Sequence, residues 1–295
     1  MSTIIQPAAA TQPSARPRRP AVFGVPWRTP AGRFSGLKLV TLLCCIAPTP
    51  FIVGQWATDN LGGRPVHHAM LETGFWAIRF LILTLAVTPA RALFDWPRVT
   101  MLRRMLGLAA AFYTFAHIIL YAADESFALG FVLSQMLTIF YLILGTIATL
   151  GVIALSLTST DAAMAHLGKR WKLLHRLIYL ITALSLWHFF LTQKIDVGLA
   201  MVPAGLFVWL MLWRGAPPGF RRSLGGIGLL ALAAVMITAL GEAGWYALKS
   251  GINPWLVLKA NVSTMRPTAA MFVGVDLALL ILLVAARRVL KRRAA

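Results

Sequence analysis

Acidic side chains are scarce in this chain, with nine Asp and Glu among 295 residues. Charged residues of both signs reach only 13%, against roughly 25% in a soluble domain. That shortage argues against a surface facing water on all sides. Cysteine is nearly missing too. Cys44 and Cys45 are the only two, adjacent and inside an apolar run. Without a CxxC pattern they exclude iron–sulfur ligation and structural zinc. Two such neighbours most simply pack. No hydrolytic or phosphoryl-transfer motif appears, so turnover of a substrate by this chain alone is not expected. The start of the chain has no short apolar core with a small-residue cleavage site, so no cleavable signal is expected there.

Apolar sequence is what the chain has in quantity. Hydrophobic residues make up 59% and mean hydropathy is +0.75. About 20 apolar residues cross the roughly 30 Å hydrocarbon core as a helix, and backbone groups in lipid must be satisfied within their own segment. The runs predict eight helical spans, near 37–57, 73–94, 105–122, 131–157, 173–192, 197–213, 225–247 and 267–286. The expected fold is therefore an all-α polytopic membrane bundle. Pro48 and Pro50 should kink the first span. Trp56, Trp76, Trp96, Trp171, Trp187 and Trp245 fall near predicted span ends, as an interfacial aromatic belt requires. No tandem repeat is visible.

The net charge of +19 would suggest nucleic acid in a soluble protein. Here it marks topology, and no nucleic-acid partner is expected. Of 28 Lys and Arg, 22 lie in residues 1–38, the loops 91–104, 158–176 and 214–222, and the C-terminal tail. Five lie on the other side: Arg64, Lys194, Lys249, Lys259 and Arg266. Arg79 falls within a span. The positive-inside rule then places both termini in the cytoplasm, consistent with an even number of spans. Residues 1–36, rich in Pro, Ala and Arg, read as a disordered basic arm.

Three histidines lie in otherwise apolar sequence: His117, His175 and His188. An imidazole in lipid is costly unless something uses it. In a helical membrane bundle the metal most consistent with such imidazoles is haem iron. His117 and His188 fall at one level, toward the outer face, and could grip one iron from facing helices. His175 lies 13 residues before His188, about 20 Å along a helix at 1.5 Å per residue. It would serve a second, inner station or hydrogen-bond near the inner surface. The two are roughly 140° apart around an ideal helix, so a tilt, a bulge or different rotamers must reconcile them. The competing role for each histidine is an interhelical hydrogen bond.

Other polar residues have plainer expectations. His67 and His68 read as an exposed pair in an outer loop. Arg79 either snorkels outward or neutralises a haem propionate, a role that also suits Arg103 and Arg104. Glu242 and Asp276 should pair or face a wet cavity.

Three segments carry a family resemblance. They are Thr73-Gly74-Phe75-Trp76-Ala77-Ile78-Arg79-Phe80 with Leu85-Ala86-Val87-Thr88-Pro89, then Arg103-Arg104-Met105-Leu106-Gly107 leading to His117, and Gly168-Lys169-Arg170-Trp171-Lys172-Leu173-Leu174-His175 running on to His188. Together they resemble the MsrQ (YedZ) family, haem-binding membrane subunits of the bacterial periplasmic methionine sulfoxide reductase system, in the ferric-reductase-like transmembrane group. The likeness covers about residues 37–213. It implies b-type haem, one or two, on His117, His175 and His188. It also implies FMN, which no residue pattern here shows. Electrons would come from the quinone pool or a cytosolic flavin reductase. They would cross the bacterial inner membrane to a periplasmic molybdopterin enzyme, MsrP, supporting repair of oxidised proteins. The family core usually has six spans, so residues 214–295 are expected to add two.

The expected function is a haem b electron-transfer subunit of an oxidoreductase system. One rival is a stand-alone transmembrane ferric or cytochrome b reductase. Such proteins generally carry a cytosolic FAD/NAD(P)H domain, and only nine residues follow position 286. A second rival is a proton-coupled transporter using the histidines, Glu242 and Asp276.

Overall fold

The computed structural model describes residues 25–29, 31–193, 196–262 and 267–293. Residues 1–24 of the expected arm, and Lys194 and Arg266, lie outside the described residues. Among those described, the chain is helical apart from short connections and one isolated bridge between Arg28 and Phe34. That bridge lies within the expected arm. Residues 25–29 and 31–35 run back along one another there, with Ser35 N–H donating to the Trp27 carbonyl, and Lys38 Nζ donates to the Arg28 carbonyl at 2.6 Å.

Eight segments are long and apolar enough to cross a membrane. The first bends as the prolines predict, into α1 (Gly36–Ile46) and α2 (Pro48–Ala57). The Tyr113 hydroxyl donates to the Cys45 carbonyl beside the break. Cys45 is buried and Cys44 exposed. The second span, α3 (Pro65–Leu93), is the most buried. It begins eight residues earlier than hydropathy predicts, because Pro65 opens the helix at a position where no N–H is needed. A 3-10 turn (Pro97–Leu102) leads into α4 (Arg103–Asp124).

The fourth span is two helices rather than one. Ile139 is extended and separates α5 (Leu129–Thr138) from α6 (Phe140–Leu157), and only α6 is long enough to cross. A short α7 (Asp161–Leu167) follows, capped by Thr160. The fifth span is α8 (Lys169–His175) and α9 (Ile178–Thr192), with the helix interrupted directly after His175. Next come α10 (Gly198–Gly215), α11 (Leu224–Ser250), the short α12 (Pro254–Ala260) and α13 (Ala269–Arg293).

The last two spans share a core with the earlier ones. Ile78, Ile82 and Leu85 of α3 pack with Trp209 and Trp213 of α10, Ile227 and Ala234 of α11, and Val273 and Val284 of α13. Gly205 lets these helices close up. A Cβ there would lie 2.4 Å from Thr238 Oγ1 and 2.7 Å from Val273. Small residues at such crossings substitute close packing for the hydrophobic force that lipid removes.

Candidate functional site

Two hairpins, α3–α4 and α6–α9, bring His117 and His188 together. On α4, His117 Nδ1 lies 2.8 Å from the Met70 carbonyl of α3. On α9, His188 Nδ1 lies 2.7 Å from the Tyr141 carbonyl of α6. A carbonyl can only accept, so both Nδ1 atoms carry the proton. The tautomer is thereby fixed, and each Nε2 keeps its lone pair. Among the described residues neither Nε2 makes a hydrogen bond.

The two ring centroids lie 6.4 Å apart with planes at 82°, an edge arrangement. A metal–imidazole bond of about 2 Å and a ring radius of about 1.1 Å put the centres of two trans imidazoles roughly 6 Å apart. The centroid spacing matches what one metal between two Nε2 atoms requires. Among the described residues no group of three or more His, Cys, Asp or Glu could hold a bare ion. Two protein ligands suit a metal that brings its other donors in a macrocycle.

The hairpins match in register. Met70, Gly74 and His117 correspond to Tyr141, Gly145 and His188, each 71 positions on. The same shift relates the walls of a cavity of about 410 Å³. Leu81 pairs with Val152, Thr84 with Leu155, Thr88 with Ser159, Thr100 with Trp171, Arg104 with His175 and Gly107 with Ile178, and all twelve line it. The fold thus contains a repeat that inspection of the sequence does not reveal.

His175 faces this cavity, stacked on Trp171 at 3.9 Å between centroids. Its Nε2 lies 3.4 Å from Ser159 Oγ, and its buried Nδ1 has no hydrogen-bond partner among the described residues. The helix is interrupted directly after His175, so the ideal-helix angle between it and His188 does not apply. Arg103, Arg104, Lys172, Arg176 and Arg214 also line the cavity, and among the described residues no acid does. Arg103 donates to Thr88 Oγ1 at 2.9 Å. Arg104 pairs with Asp161, which leaves it less free for an anion than the sequence suggests.

Several expectations need correction. His67 and His68 lie in the first turn of α3, not in a loop. His67 Nδ1 sits 2.9 Å from Asp124 Oδ2, which Arg64 also reaches. Arg79 reaches back one turn toward the Pro65 end of α3, the direction expected of an outward-snorkelling side chain. It lies mid-helix, with its guanidinium 3.8 Å from the Phe75 ring centre and 4.4 Å from that of Trp76. Cation–π attraction strengthens away from water, which makes two rings an adequate cradle. Trp76 is half-buried and packs against the cluster formed by Ala77, Phe80 and Tyr113. Glu242 is buried with Oε2 unpaired, and Asp276 is exposed on α13. Among the described residues neither forms an ion pair.

The residues that sequence reasoning missed are Gly74 and Gly145. The available signal was a glycine four positions after each carbonyl that receives a histidine, at the same spacing twice.

The same segments are similar to those of known proteins. A family model described as "Ferric reductase like transmembrane component" matches residues 73–186, which include both hairpin glycines, His117 and His175 and stop two residues short of His188. Curated relatives carry the name "Protein-methionine-sulfoxide reductase heme-binding subunit MsrQ". The one from Rhodospirillum rubrum is 32% identical over 190 residues, 64% of this chain and 91% of the relative. The one from Caulobacter vibrioides is 33% identical, covering 58% and 83%. The one from Xanthomonas euvesicatoria is 38% identical, covering 55% and 75%. No solved structure matches.

Proposed function

Because this chain belongs to the MsrQ family of heme-binding subunits of protein-methionine-sulfoxide reductase, we propose that it is a transmembrane electron relay in which His117 and His188 are the axial ligands of one haem b. The observation that carries this is the 6.4 Å, near-perpendicular pairing of the two rings. Haem iron supplies a one-electron change of oxidation state. The Met70 and Tyr141 carbonyls hold the two imidazoles in the ligating tautomer and raise the basicity of Nε2. Phe75 and Phe189, in edge contact at 5.5 Å, keep the surroundings apolar. Arg79, about one turn from Gly74 on α3, balances a propionate.

The His175 cavity takes the inner redox group. Its five cations and lack of acids suit the carboxylates of a second haem b or the phosphate of FMN. His175 is its imidazole ligand in the first case. Arg103 and Arg104 contact the anionic edge in both.

The protein resides in the bacterial inner membrane with both termini in the cytoplasm. The basic loops, all on the side holding the His175 cavity, support that orientation. Electrons enter there from quinol or a cytosolic flavin reductase. They leave at the outer station for the periplasmic molybdopterin methionine sulfoxide reductase, MsrP. Residues 37–213 form the ferric-reductase-like unit, and residues 214–295 buttress it.

Mixing the reduced protein with the purified periplasmic reductase and methionine sulfoxide tests the relay. The reduced b-type α band should disappear only when both are present. Full periplasmic methionine sulfoxide reduction in cells lacking this chain would contradict the role.

A further inference from the structure

A helix carbonyl already accepts the N–H four residues on, and its second lone pair points sideways. Because Cβ bonds tilt toward the helix N-terminus, the side chain at that fourth residue normally shields the spare lone pair. Gly74 stands four residues after Met70, and Gly145 four after Tyr141. At each place the imidazole of the facing helix occupies the space a side chain would fill. A Cβ at Gly74 would lie 2.8 Å from His117 Nδ1 and 3.0 Å from its Cε1. A Cβ at Gly145 would lie 2.9 Å from His188 Nδ1 and 3.0 Å from its Cε1. Neither ring can retreat without breaking its hydrogen bond of 2.8 or 2.7 Å. Glycine is the poorest helix former after proline, yet it sits at both positions in mid-span.

The geometry points to Gly74 and Gly145 as positioning residues that set the potential of the site held by His117 and His188. They open a backbone carbonyl to each imidazole. The resulting Nδ1–H···O=C bond makes Nε2 a stronger donor, favours the ferric state and lowers the potential. This rests on the reading of His117 and His188 as haem ligands.

The test uses the full chain purified in lipid nanodiscs, as Gly74→Ala, Gly145→Ala and Gly151→Ala. Gly151 is the control. It lies on α6 like Gly145, but its added methyl would meet only the Ile181 side chain, at 2.6 Å. The readouts are the haem midpoint potential, the low-spin EPR signal and retention of haem during dilution. Gly74→Ala and Gly145→Ala should raise the potential, convert part of the signal to high spin and weaken haem retention about tenfold. Gly151→Ala should keep the parental potential and spin state. A variant that accumulates with parental helicity but fails to retain haem counts in favour of the inference. Parental potential and spin state in both Gly74→Ala and Gly145→Ala would overturn it, as would equal changes in all three variants. A parent protein that carries no haem would sink the earlier reading instead.

Discussion

His175 stands in the second hairpin where Arg104 stands in the first, 71 positions earlier, and both line one cavity. The His117–His188 site has an imidazole from each hairpin, whereas this cavity is lined by an imidazole from one hairpin and a guanidinium from the other. The two stations therefore differ in kind although the scaffold that builds them is repeated. An arginine favours the anionic edge of a cofactor over its metal.

Where the inner group is a second haem held by His175, His175→Ala should remove it and leave the outer one. Total haem and flavin are measured against protein in the parent and the variant. The variant should lose one cofactor per chain while keeping the low-spin signal assigned to His117 and His188. Loss of both signals together would mean that His175 supports the bundle rather than a separate station.

The C-terminal spans should contribute to stability through α10. Trp213 is 2% exposed, with its indole N–H donating to the Arg221 carbonyl at 3.0 Å. Trp213→Ala leaves a cavity between α10 and its neighbours and should cost about 3–5 kcal/mol. Thermal unfolding in detergent should show a clear drop in melting temperature. An unchanged melting point would show that α11 and α13 are not joined to the core as described.

Asp95, outside the membrane spans, gives a pH dependence. The hydrogen bond and charge of Lys291, at the end of α13, hold its carboxyl below the usual range. A depressed folded value means that the contact stabilises at pH above the unfolded value of about 3.9 and is lost as pH falls through the folded value. Asp95→Asn should thus melt slightly lower than the parent at pH 7, and the gap should shrink toward pH 3. A gap that stays constant with pH would rule out the ion pair as its source.

Glu242 separates the relay from a proton-coupled transporter. Its Oε2 has no partner among the described residues, and nothing links it to either histidine site. Glu242→Gln should keep the visible spectrum and the rate of haem reoxidation by the periplasmic reductase. Proton-coupled solute uptake by parent vesicles, abolished in this variant, would favour the transporter.

Hydropathy makes the eight spans legible because each must present apolar side chains to lipid. It also isolates His117, His175 and His188, whose cost in lipid needs a reason. It cannot see hydrogen bonds or helix breaks. Ile139 is as apolar as its neighbours, so the break between α5 and α6 leaves no trace in composition. The early start of α3 escapes notice because His67 and His68 look like loop residues until Asp124 is seen to hold one of them. The repeat is hidden because lipid-facing positions accept any apolar residue, so only positions under geometric constraint, such as Gly74 and Gly145, keep the register.

The most direct test of the central claim is the visible and EPR spectrum of the purified protein beside His117→Ala and His188→Ala. The parent should show a reduced b-type α band and a low-spin signal from two imidazoles, and each substitution alone should abolish that signal. Retention of the parental low-spin signal in either variant would contradict the account.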